Sequence, residues 1–297
     1  MVDAVVVVSG APSQETGPPE ARKSRFNGWA WLVLPGLVFI LAVFGWPLGE
    51  VVVRSFGGDG AVQNYGVFFD SPIYFRALNS TLITSASVTL SCLLIGYPYA
   101  YLMSQSRRTE LLLAIVLLPI WTSFLVRTYA WQIWLQDTGV INSTLLRMGV
   151  IDEPLSLIRT NLGVVIGMTG ILLPFAILPM FTVMRRIDRE LVRAAENLGA
   201  KPRIAFRRIF VPLSLPGVYS GCLLVFVLAL GFYIAPAILG GTSSPTLSTL
   251  IIDKVQRELD FHTASALGVT LLLIALVAVA IGSRVVRIRD VFGGGAP

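Results

Sequence analysis

The sequence predicts an all-α membrane protein with six transmembrane helices and both termini on the cytoplasmic side. Three observations predict it. Composition is the first: 55% of the 297 residues are hydrophobic, 13% are charged, and mean hydropathy is +0.75. A soluble domain carries about a quarter charged residues, so lipid must solvate much of this chain. Six apolar runs each approach the ~20 residues a bilayer core requires. Charge then alternates between successive connections, as the retention of lysine and arginine on the inner side dictates.

The runs are Trp29–Leu48, Leu78–Met103, Leu111–Leu135, Leu162–Met184, Ile209–Leu239 and Ala264–Val286. Backbone amides in lipid must be paired internally, so each run should be helical; the short alternating segments of a barrel are missing from the pattern. Before the first run, within residues 1–28, Gly10–Glu20 is rich in Pro, Gly, Ser and Gln, and Arg22, Lys23 and Arg25 follow. The Val5–Val8 stretch is too short for a signal-peptide core and precedes the cations, so the tail reads as disordered and cytoplasmic, and the first run as an uncleaved anchor. Residues 29–289 form the membrane domain, and 290–297 a short tail.

The connections set direction. Ser104–Glu110 holds Arg107 and Arg108 against Glu110, and the segment after Gly282 holds Arg284, Arg287 and Arg289 against Asp290. On the other side, Gln136–Asn161 holds Asp137, Asp152 and Glu153 against Arg147 and Arg159. Gly240–Thr263 holds Asp253, Glu258 and Asp260 against Lys254 and Arg257, and Gly49–Ala77 is near balance. The connection 185–208 is the most polarised: eight cations face three acids, a net of +5 that assigns it to the cytoplasm. Cations at the ends of apolar runs, rather than on one face, fit membrane orientation and not nucleic acid.

Within that loop the residues spell a short helix. Asp188 can cap its start and Glu190 suits the positive end of the dipole. Leu191, Ala194, Ala195 and Leu198 recur at i, i+3, i+4 and i+7, giving one narrow apolar face. Gly199 supplies a left-handed stop and Pro202 prevents continuation. Such a helix either lies on headgroups or docks on a soluble partner.

The Ala-Ala pair, the glycine four residues beyond Ala195, then Pro212 and Pro216 resemble the EAA loop of ABC-transporter inner-membrane permeases. The runs LLPIWTSFLVRTYAW (Leu117–Trp131), GMTGILLPFAILP (Gly167–Pro179) and VLALGFYIAPAILGG (Val227–Gly241) resemble the PotB-like, spermidine/putrescine branch. The similarity covers roughly Trp29 to Arg289. It implies the type I importer architecture and a coupling helix, with Ala194, Ala195, Leu198 and Gly199 as its docking element and Glu190, Leu191, Arg193, Glu196 and Ala200 around them. Arg193 stands where the family most often has Glu, and Glu190 or Glu196 could replace that carboxylate. The implied partners are a second homologous permease, a dimer of ATP-binding cassette ATPases, an extracytoplasmic solute-binding protein and membrane lipid, all at a bacterial inner membrane.

No G-x-x-x-x-G-K-[ST] loop and no metal-spaced cluster occurs in the sequence, so no cofactor is expected and ATP hydrolysis falls to a partner. His262 reads as a solvated loop histidine, and Cys92 and Cys222 as buried small hydrophobes. Arg127 is the one charge well inside an apolar run; it either snorkels to outer headgroups or lines a gate or pairs with the partner permease. Trp121, Tyr129, Trp131, Asp137, Tyr233 and Pro236 join it as candidate pathway residues, since aromatic faces and a carboxylate suit a polyamine. Pro212 and Pro216 should kink the fifth run, and Pro174 and Pro179 the fourth. The outer stretch 247–261 could form an amphipathic helix carrying Leu250, Asp253, Lys254, Arg257 and Glu258. The expected activity is uptake of polyamines. An aminophosphonate, opine, sulfate-like anion or iron remains an alternative solute, and a non-transporting scaffold for an ATPase an alternative class. An ion-driven transporter would want buried ionisable residues at mid-membrane, which these runs lack.

Overall fold

The computed structural model describes residues 30–57, 64–66, 71–241 and 245–292. The expected tail 1–28, Trp29 and the end of the C-terminal tail lie outside the described residues. Among those described there is no strand. The chain divides into two compact units, Met1–Pro47 and Leu48–Pro297. In the first, Ala30–Ile40 is helical and runs into a π turn at Leu41–Gly45. Among the described residues five helices are long and apolar enough to cross a membrane: α1 (Leu34–Ser55), α2 (Pro72–Gln105), α6 (Asn161–Met184), α8 (Pro202–Gly231) and α11, whose apolar part is Phe261–Arg284. A sixth arises if the bent pair Thr109–Trp121 (α3) and Phe124–Arg147, whose first part is α4 (Phe124–Leu135), counts as one span.

That pair corrects the expectation that Leu111–Leu135 is one helical run. The two halves meet at 98°. Pro119 sits in a 3-10 turn, Leu118–Trp121, and its carbonyl receives the Thr122 amide at 3.1 Å and hydroxyl at 2.7 Å. Ser123 then starts a new helix, its side chain accepting from the Leu125 amide. Hydropathy is blind to such a break because the capping residues are small and the flanks apolar.

The fifth run is also divided. α8 begins early, at Pro202, passes through a π turn at Phe206–Phe210 and stops at Gly231. Ile234–Leu239 is a separate helix, α9. By contrast, α6 runs unbroken through Pro174 and Pro179. The last helix continues to Phe292.

α6 is the central helix of the second unit: 61% of its most apolar stretch is buried, against 39% for α8 and 28% for α2. Met168, Ile171, Leu172, Ala176, Ile177 and Met180 from α6 meet Val88, Cys92 and Met103 of α2 and Val218, Val225 and Ala229 of α8. Hydrophobic contact gives little net drive between helices in lipid, so close packing and hydrogen bonds must hold them. Gly221 supplies the closeness, for a β-carbon there would stand 2.7 Å from the Ala176 carbonyl. Side chains supply the bonds: Thr84 donates to Asn161 Oδ1 at 2.8 Å, and Tyr97 pairs with Ser214 at 3.0 Å. Thr81 accepts the Leu247 amide at 2.9 Å and so fastens α10 (Leu247–Asp253) to α2. α5 (Val140–Arg147) occupies the connection between α4 and α6. Both cysteines are free.

Candidate functional site

α7 (Arg189–Asn197) stands between α6 and α8. Asp188 caps it, with Oδ1 accepting from the Glu190 amide at 2.9 Å. At the other end the Gly199 amide bonds to the Glu196 carbonyl (2.9 Å) and the Ala200 amide to the Ala195 carbonyl (3.0 Å). This paired closure needs a left-handed residue, and Gly199 has φ +91°. The expected start and stop are therefore both present.

One side of α7 faces the protein. Val192, with Ile187 just before the helix, packs on the main core. Arg189 Nη2 donates to the Ser104 carbonyl at 2.6 Å, joining α7 to the end of α2. A cavity of about 250 Å³ lies between these elements, edged by Arg193 and Glu196. Three aromatic rings also line it: Phe206 and Phe210 stack at 5.4 Å, and the Tyr101 ring meets both edge-on at 5.2 and 5.0 Å. The π turn brings these two phenylalanines onto Tyr101.

The other side is bare. Leu198 is 90% exposed and Leu191 50%, with Ala194 exposed between them. Ala195 and Ala200 are half-buried, so the exposed stripe is Leu191, Ala194 and Leu198 rather than the four-residue face expected. Among the described residues, Glu190, Arg193 and Glu196 make no ion pair, so neither glutamate is engaged with Arg193. Sequence reasoning missed Arg189, Val192, Tyr101, Phe206 and Phe210. Arg189 was visible only as one charge among eight, while the Phe206–Phe210 spacing of four did signal a shared face.

The pathway candidates divide. Arg127 turns onto α6: Nη1 donates to the Ile171 carbonyl at 3.3 Å, the guanidinium lies 4.7 Å from the Phe124 ring centre, and buried Nε has no partner. Trp131 also faces α6, half-buried, where a β-carbon on Gly170 would meet its indole at 2.6 Å. Its ring contacts Trp134 at 5.7 Å. Phe124 meets Phe232 edge-on at 5.7 Å, which sets Tyr233, 45% exposed, next to the α4 start. Pro236 is buried in α9. Trp121, Tyr129 and Asp137 are exposed.

At the far connection, α10 continues into a π turn, Lys254–Glu258. Leu250 packs inward beside Leu247, whereas Arg257 reaches Asp253 at 3.4 Å. Lys254 bonds Glu258 at 2.5 Å and lies 3.9 Å from Asp260. Burial opposes the Lys254 charge, but Glu258 and Tyr74 outweigh it and hold the ammonium above its ordinary pKa. Burial likewise opposes the Asp260 charge; hydrogen bonds from Thr263 and the charges of Lys254 and His262 prevail and keep it low. His262 is not merely solvated, for Nδ1 lies 3.0 Å from the Arg54 carbonyl.

Residues 29–290 match the family described as binding-protein-dependent transport system inner membrane component. The chain is 36% identical over 222 residues to the spermidine/putrescine transport system permease protein PotB of Haemophilus influenzae, covering 73% of this chain and 77% of that one. Two solved structures share the fold. One is a bacterial ABC transporter involved in the import of the acidic polysaccharide alginate, with TM-score 0.70, 20% identity, and 87% of this chain and 94% of that chain covered. The other is a bacterial alginate ABC transporter in complex with an alginate pentasaccharide-bound periplasmic protein, with TM-score 0.64, 21% identity and coverages of 85% and 91%.

Proposed function

Because the chain belongs to the family of binding-protein-dependent transport system inner membrane components, we propose that it forms half of the translocation pathway of a polyamine importer and is driven through α7 by a separate ATPase. It is an ABC-transporter permease and a multi-pass protein of the inner membrane. The observation carrying the coupling assignment is Leu198, an apolar side chain 90% exposed on a helix capped at both ends outside the apolar spans. A leucine removed from water on docking contributes about 1.5–3 kcal/mol. The net +5 of residues 185–208 supports a cytoplasmic position for this loop, and hence both termini inside.

The ATPase dimer fits against the Leu191–Leu198 stripe, a second permease completes the pathway, and a solute-binding protein delivers from the opposite side. Polyamine as the solute is supported by the likeness to PotB of Haemophilus influenzae. The test is co-purification with the cognate ATPase together with spermidine uptake in a reconstituted complex. Leu198→Asp should release the ATPase while leaving the chain folded in the membrane. Full association and uptake by that variant would refute the coupling role. A solute-binding partner that ignores spermidine and putrescine would refute the substrate. A second reading, an anionic solute, is favoured by one observation: the unpaired guanidinium edge of Arg127.

A further inference from the structure

Beside α7, at the junction where α8 enters its apolar stretch, lies an open groove of about 550 Å³. Its walls are Tyr101, Phe206, Pro202 and Val211, and Arg203 and Arg207 stand along it. No acidic side chain lines the groove, and among the described residues neither arginine has an ion pair. Both arginines are exposed. Two uncompensated cations thus border an apolar trough that runs along a helix continuing as a membrane span to Gly231.

The occupant must match both features. An organic cation is repelled by the arginines. A free phosphate would satisfy them but leave Tyr101, Phe206 and Val211 uncovered. A soluble protein surface cannot follow α8 into hydrocarbon. An amphiphile with an anionic head and an apolar tail meets every requirement.

We propose that the groove is a binding site for an anionic glycerophospholipid, its phosphate between Arg203 and Arg207 and one acyl chain along Phe206, Tyr101 and Val211. Tyr101 and Phe206 also belong to the aromatic contact that joins α2 to the α8 π turn next to α7. The lipid therefore braces the joint through which α7 moves the spans. The loop orientation proposed above decides only which leaflet supplies the lipid; binding does not depend on it.

The test is native mass spectrometry of the detergent-purified full chain, titrated with phosphatidylglycerol and, separately, phosphatidylcholine. Phosphatidylglycerol should be retained preferentially, and excess inorganic phosphate should not displace it. Arg203→Gln with Arg207→Gln should weaken retention by about thirtyfold, and each single variant by about fivefold. Arg185→Gln with Arg186→Gln, in the same loop but outside the groove, should change little. Equal retention of both lipids, or displacement by phosphate, would overturn the proposal. So would an equal loss in the two double variants, which would mean loop charge alone. Unchanged lipid retention with loss of the ATPase from the Arg203/Arg207 variant would assign the groove to the ATPase instead.

Discussion

Gly199 offers the sharpest test of the coupling helix. Its φ of +91° is one that side chains with a β-carbon rarely adopt, and a β-carbon built there meets nothing within 4 Å. A substitution therefore acts through the backbone and not through a clash. Holding an ordinary L-residue in the left-handed region costs about 1–2 kcal/mol, a factor of about 5–30 in a local equilibrium. Nine residues are too few to hold a helix alone, so α7 depends on its caps and on Val192. In Gly199→Val the amides at 199 and 200, which close the helix on Glu196 and Ala195, should exchange with solvent about 5–30 times faster. Affinity for the ATPase should fall by a similar factor, with the spans intact. Gly199→Asn should lie between, because asparagine tolerates this conformation. A valine variant that exchanges and binds like the parent would refute the inference that this stop holds the lever in shape.

Other outcomes follow from the packing and the charges. Gly221→Leu should cost about 1–3 kcal/mol or more, read as a lower thermal midpoint in detergent, because its first carbon would press on the Ala176 backbone. An unchanged midpoint would mean α6 and α8 are free to separate. Arg127→Met should alter uptake rate while Arg127→Lys stays near the parent if positive charge on the pathway governs solute passage; equal behaviour of the two would remove that role. Asp260 has its pKa held low in the folded chain, so its stabilisation is present above the ordinary carboxylate value and disappears as pH falls through the folded value. The midpoint difference between the parent and Asp260→Asn should therefore close in acid, and a difference constant with pH would contradict the assignment. Lys254, held high, gives the mirror case: its contribution persists below the ordinary lysine value and is lost as pH rises through the folded one.

The sequence was most legible where one residue type has one physical meaning. Asp188, Gly199 and Pro202 marked the ends of a helix that the fold places there, because capping and left-handed backbone are local requirements. Long apolar runs marked α2, α6 and α11 for a similar reason. The break at Thr122–Ser123 was illegible because two capping hydroxyls barely alter the hydropathy of their surroundings. Tertiary partners were less legible still. Val192 lies off the Leu191–Leu198 stripe and drew no expectation, yet it packs α7 on the core. Trp131 read as a pathway aromatic, and the neighbour it packs against, Gly170, is distant in sequence.

The bond from Arg189 to Ser104 has an asymmetry of its own. The guanidinium grips a main-chain oxygen, which every residue type at position 104 would offer. Substitution there leaves the acceptor in place, whereas any change at 189 removes the guanidinium. Loss of this particular bond would therefore follow substitution at 189, whereas position 104, buried at the end of α2, would respond to side-chain size instead. Covariation would be silent about where that arginine is anchored.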